Sequence, residues 1–204
     1  MRSAERLLLA IGIIAFGWFA SGQIYAAREQ AALSRELEAA QRHAAAATAA
    51  LPASVSPPRL ALASRALIGR IEVPRLSLSA LAREGVDVRT LRGSVGHVPG
   101  TALPGQPGNA AFAAHRDTFF RPLAGIRRGD TILVTTPDGV HQYRVFATRI
   151  VEPTEVSVLR SGQLSQLTLV TCYPFDYVGS APQRFLVLAE LTARSPRTPR
   201  AAGT

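Results

Sequence analysis

The segment TLVTCYPFDYVGSAPQRF, residues 168–185, holds the chain's one cysteine, Cys172, and sets Arg184 twelve positions after it. A lone thiol forms no intramolecular disulfide. Cys172 is therefore buried filler, a reactive group or a link to another chain. A guanidinium beside a thiol favours the thiolate. It can also hold the oxyanion that forms when sulfur attacks a carbonyl. Cysteine-dependent acyl transfer further needs a proton donor for the departing amine, and imidazole suits that role because it titrates near neutrality. Of the four histidines, His115 ends NAAFAAH and opens HRDTFF, a strand end that can reach the rim expected for Cys172. His97, in GHVPG, is a supporting residue at most. His43 falls in an alanine-rich helical stretch, and His141 follows a turn and is expected to face solvent. A plain structural reading stands beside the catalytic one: a cysteine closing an apolar strand is often inert core, and a strand histidine is often held by its neighbours. Spacing alone leaves both open. Thr171 is likewise either a substrate contact or a β-favouring filler.

These side chains need strands to position them. QLTLVTC (166–172) and RFLVLAEL (184–191) are apolar runs joined by eleven residues that include Pro174, Gly179 and Pro182. Antiparallel pairing of the two would set Cys172 beside Arg184 at one rim, where a rigid scaffold presents side chains to a ligand. Further strands are read at 67–73, 108–116, 130–136 and 140–151, with Pro137-Asp138-Gly139 as a hairpin turn. DVRTLRG (87–93) is a short helix capped by Asp87 and ended by Gly93. Short strands with turn signals between them predict an all-β sandwich or barrel. Residues 150–165 lead into the cysteine strand and are expected to wall the site and carry specificity.

Outside 67–192 the texture changes. Residues 7–27 carry no charge, and 21 residues at ~1.5 Å each span about 30 Å, the hydrocarbon thickness of a bilayer. Arg2 and Arg6 precede the run, so the N-terminus is expected inside and the remainder exported. A cleaved signal peptide, with Ala-Ser-Gly at 20–22, is the competing reading, and both readings export the rest. Residues 1–27 are thus read as a cytoplasmic tip and membrane anchor. Residues 28–50 are helical by composition, with Leu33 and Leu37 as their only large apolar pair, and are read as a solvated stalk. Residues 51–66, with three prolines, are a linker, and 193–204 a disordered tail. Net charge is 23 − 14 = +9, every cation being arginine. The arginines are scattered among acids, apart from Arg194, Arg197 and Arg200, so the surface is read as solvated and not as a nucleic-acid face.

TLVTC, with Arg184 twelve residues on and HRDTFF upstream, resembles the sortases, membrane-anchored cysteine transpeptidases whose cysteine motif is Thr-Leu-x-Thr-Cys. GNAAFAAHRDTFFRPLAGIRRGD and TCYPF…APQRF are most similar to class D members. The resemblance spans about residues 67–192. It implies an eight-stranded β-barrel with short helices, with His115, Cys172 and Arg184 as catalytic residues. It also implies cleavage of a sorting motif similar to Leu-Pro-x-Thr-Gly and transfer of the thioacyl group to an amine. The implied partners are exported proteins with a C-terminal sorting signal and an amine acceptor in the cell envelope. The implied location is a single-pass membrane protein whose domain faces the periplasm or the cell exterior. Ala114 departs from the glycine that relatives commonly place before the histidine. Some relatives bind calcium, but no carboxylate cluster supports a metal here, and no cofactor is expected. Two other readings are an L,D-transpeptidase, whose cysteine typically follows His-Gly where this chain has Val170-Thr171, and a non-catalytic envelope-binding barrel.

Overall fold

The computed structural model describes residues 2–48, 65–155, 157 and 162–196. After helix α1 (Arg2–Thr48) come strands β1 (Leu67–Val73) and β2 (Leu78–Glu84), helix α2 (Val88–Gly93), then β3 (Val95–His97), β4 (Gly108–Ala113), β5 (Thr131–Thr135), β6 (Gly139–Val151), β7 (Ser165–Tyr173) and β8 (Gln183–Pro196). The eight strands close into a barrel in the order β1-β2-β3-β4-β7-β8-β6-β5. The all-β barrel expected from the spacing of short apolar runs is therefore present. β2 and β3 had not been read from the sequence. β3 has three residues, too few for a visible alternation, and Ala80-Leu81-Ala82 of β2 is buried throughout, which removes the polar beat.

Alternation builds the walls. In β5, Ile132 and Val134 face inward between half-exposed neighbours, and from β6 Tyr143 and Val145 meet them. Closure removes sheet edges and lets Phe112, Phe120, Leu123, Leu167, Leu169 and Val187 share one core. The turn at 137–139 joins β5 to β6 with Thr135 opposite Val140, and Asp87 caps α2 by accepting from the Arg89 and Thr90 amides, both as expected.

The solvated-stalk reading of 28–50 is corrected. Leu33 and Leu37 are buried against Leu81, with Leu67 alongside. Gln30 donates to the Gly93 carbonyl and accepts from the Leu81 amide, each at 2.8 Å. Glu29 meets Arg65 and Arg83, and Ser34 meets Arg70. Two leucines suffice because the barrel supplies the other half of the apolar contact, which a single helix cannot reveal. The tail reading also moves: residues 193–196 extend β8 and pair with β6, Arg194 opposite His141. The tail beyond 196 and nearly all of the 51–66 linker lie outside the described residues. The 7–27 run lies on α1 with Leu8, Ile13 and Trp18 exposed. Among the described residues no helix is long and apolar enough to cross a membrane, and several side chains of 7–27 fall outside that set.

Candidate active site

Cys172 stands on β7 directly opposite Arg184 on β8. β4 runs parallel to β7 on its other side, pairing Ala111 with Thr168 and Ala113 with Val170. Paired residues share a face, and faces alternate along each strand. Rows therefore cross the three strands: Ala111, Thr168 and Leu188, then Ala113, Val170 and Leu186. The next row is Cys172 and Arg184; β4 ends at Ala113, so His115, expected to close that strand, stands instead in the connection two residues beyond it. The opposite face of these strands, with Phe112, Leu167, Leu169 and Val187, is barrel core. Cys172 and Arg184 thus belong to the outer face at one end of the wall, and the segment with His115 leaves β4 at that same end.

Local ties hold the row. The Ala114 amide donates to the Val170 carbonyl at 3.2 Å, and Thr171 Oγ1 donates to the Ala114 carbonyl at 2.8 Å. The backbone entering His115 is therefore stitched to the residue before the cysteine. Thr171 is buried, so of its two readings the structure favours the interior one. Ala114 packs its methyl into the core, so the departure from glycine is accommodated. Beyond Cys172, Tyr173 stacks on Phe185 while Phe175 meets Phe185 edge-on, stiffening the cysteine–arginine hairpin from behind. Arg184 Nη1 donates to the carbonyls of Ala181 and Gln183 at 3.3 and 3.0 Å. Arg184 has no carboxylate partner among the described residues, which leaves its charge available to a ligand. Cys172 is half-buried and free, and His115 is exposed.

Two arginines that the sequence did not single out brace this end. Arg116 donates to the carbonyls of Tyr177 and Gly179, and Arg121 to that of Phe175. They pin the β7–β8 connection to the segment that follows His115. Their signal in the sequence is place alone: Arg116 is within HRDTFF and Arg121 follows it.

The other histidines are structural. His97 is 2% exposed, with Nδ1 2.6 Å from Glu84 Oε2 and Nε2 2.9 Å from the Ala102 carbonyl. It posts the 98–102 turn onto β2, away from the thiol. His141 does not face solvent, contrary to expectation. Its ring lies on the bare Cα of Gly105, and burial, followed by the Arg194 charge, holds its pKa below the ordinary imidazole value. His43 lies exposed on α1. No cluster of three metal-binding side chains occurs among the described residues. Of 150–165, part lies outside the described residues. A pocket lined by Asn109, Arg149, Thr168 and Leu188, among others, opens on the outer face about 13 Å, four strand residues, from Cys172.

A free thiol opposite an arginine, with a histidine in the segment tied to the same end of the wall, is an arrangement suited to acyl transfer, and comparison with known proteins points the same way. The sequence profile of the Sortase domain family matches residues 71–192. Sortase D of Bacillus subtilis is 34% identical over 105 residues, 51% of this chain and 53% of the relative, so the chain aligns with about half the length of that protein. The Clostridium perfringens sortase D5 transpeptidase structure superposes with a TM-score of 0.57 at 27% identity, covering 62% of this chain and 79% of that one. Listeria monocytogenes sortase A gives 0.60 at 27% identity, over 66% and 92%. The match of one family over more than half the chain, on a barrel with that family's strand count, means that this chain belongs to the sortase family.

Proposed function

We propose that this chain is a membrane-tethered cysteine transpeptidase of class D-like character, with Cys172, His115 and Arg184 as its catalytic residues. The observation that carries this reading is the pairing of Cys172 with Arg184 across β7 and β8, with His115 stitched to the same rim through Thr171 and Ala114. The Cys172 thiolate attacks a substrate carbonyl carbon, and the carbonyl oxygen takes the displaced electron pair. Arg184 donates to that oxygen. The tetrahedral species collapses, the C–N bond breaks, and His115 gives its proton to the departing amine. A thioester remains. An incoming amine attacks it, passes a proton to His115, and the C–S bond breaks to return the thiolate. The substrate is an exported protein with a C-terminal sorting signal similar to Leu-Pro-x-Thr-Gly, and the acceptor is an amine of the cell envelope. Residues 7–27 hold the barrel at the membrane, facing the periplasm or the cell exterior. Support for the anchor is the uncharged run itself, its preceding arginines, and the exposure of its large apolar side chains on α1.

The test incubates the protein with Leu-Pro-containing peptides and weighs the adducts. A thioacyl mass on Cys172, lost in Cys172→Ala, is expected. Removing one sulfur at a half-buried site costs about 1 kcal/mol, so the variant keeps its fold by circular dichroism. Cleavage that persists in folded Cys172→Ala rules out the nucleophile.

A further inference from the structure

α2 is held one helical turn beyond the uncharged run of α1. Gln30 of α1 donates to the Gly93 carbonyl at 2.8 Å. Tyr25 and Glu29 lie over the bare Cα of Gly93, where an added Cβ would stand 2.8 Å from Glu29 Cγ and 3.5 Å from the Tyr25 ring. The uncharged run ends at Ala27, and Gln30 is only ~4.5 Å further along the axis. The polar layer of a bilayer is about 5–7 Å deep on each side. With 7–27 in the hydrocarbon, α2 sits at headgroup depth.

What α2 offers at that depth is distinctive. Val88 is 74% exposed, Arg92 shares its helical face at i, i+4, and Arg89, one turn before Arg92, is exposed as well. Val86, 39% exposed, precedes them, and Arg28 is exposed on α1 at the same height. None of the three arginines has a carboxylate partner among the described residues. The nearby acids are already engaged: Asp87 caps its own helix, and Glu29 is shared by Arg65 and Arg83. Free cations beside exposed valines match the boundary between anionic headgroups and acyl chains.

We propose that the 86–92 surface, with Arg28, lies on the anionic bilayer that holds α1. The proposal rests on the anchor reading above. Its consequence is a fixed attitude for the barrel. Further up, α1 reaches the β5–β6 turn, where Gln41 donates to the Thr136 carbonyl. With both α2 and the helix itself tied down, the barrel does not swing on a flexible tether. The strands that carry the candidate site, β4, β7 and β8, hold a constant height and direction relative to the membrane.

Trp18 is the only tryptophan, which makes fluorescence quenching a direct test. The full-length chain is reconstituted in anionic vesicles whose lipids carry bromine on both shallow and deep acyl carbons, since Trp18 lies about 13 Å below Ala27 near the bilayer centre. In the unaltered chain Trp18 reports the anchor. W18F with V88W moves the reporter to α2. W18F with D138W moves it to the β5–β6 turn beside Gln41, about 20 Å above Ala27. The unaltered chain and the V88W reporter are expected to lose most of their emission, and the D138W reporter to keep it. Adding R89E and R92E to the V88W chain weakens the contact by roughly fivefold per charge. If Trp18 is quenched while the V88W reporter keeps its emission as D138W does, the α2 surface is solvated and the proposal fails with the anchor intact. If Trp18 itself is unquenched, the anchor reading and the proposal fall together.

Discussion

In the proposed reaction Arg184 has two separable tasks, favouring the thiolate and holding the oxyanion, and its hydrogen bonds argue for weight on the second. Its Nη1 is spent on the Ala181 and Gln183 carbonyls, which orients the guanidinium plane across the strand pair. A plane held this way presents its remaining N–H groups in a fixed direction, which lysine cannot imitate although it keeps the charge. Arg184→Lys is therefore expected to leave the alkylation rate of Cys172 near normal. Thioacyl formation should fall by at least ~10², the usual loss for one oxyanion donor. Measuring both rates on the same protein separates the tasks, and full acylation by the lysine variant would leave Arg184 as a charge partner only.

At the scale of elements, the docking of α1 is the feature to weigh. Leu33 is fully buried in a small cluster with Leu37 and Leu81, apart from the barrel core. Leu33→Ala removes a packed side chain that the rigid barrel wall cannot follow, at a cost of about 2–4 kcal/mol. Urea unfolding is expected to show that loss in the docking of α1. A solvated helix would lose nothing on the same substitution, so an unchanged curve would restore the stalk reading. His97 acts at this scale too: it fixes the 98–102 turn to β2 through Glu84 and the Ala102 carbonyl, which accounts for its burial.

At the scale of the whole molecule, the pair that joins the segment after β1 to the start of β5 is an acid-sensitive tie. Arg75, after β1, grips Asp130, before β5, with both contacts at 2.6 Å, and Asp130 also accepts from the Arg127 amide at 2.7 Å. These hydrogen bonds, with Arg75 the main cause, hold the Asp130 pKa below the ordinary carboxylate value. A carboxyl lowered in the folded state stabilises the fold above its unfolded pKa, and the gain disappears as pH falls through the folded pKa. Stability is thus expected to drop between about pH 5 and pH 2, and Asp130→Asn to flatten that part of the curve while lowering the plateau. Thermal melts across this range on both proteins check it. Equal slopes would show that other carboxylates carry the acid response.

The amino-acid order by itself determined the strands on either side of the cysteine hairpin, the Asp87 cap and the turn at 137–139, because each depends on spacing within a few neighbours, while the set of three candidate residues came from the likeness of TLVTC and HRDTFF to a family. The Cys172–Arg184 pairing was legible for the same reason: two apolar runs and a short connection leave one antiparallel register in which both side chains reach the rim. Only the tertiary structure decided which partner each surface met. It set β4 beside β7 and sent Thr171 inward to tie the Ala114 carbonyl, so the segment that carries His115 leaves β4 at the same end of the wall as the cysteine. It laid α1 on the barrel through Leu33 and Leu37, extended β8 through 196 along β6, and turned His141 onto Gly105. Such choices depend on shape and burial between segments far apart in the chain, and local periodicity contains no record of them.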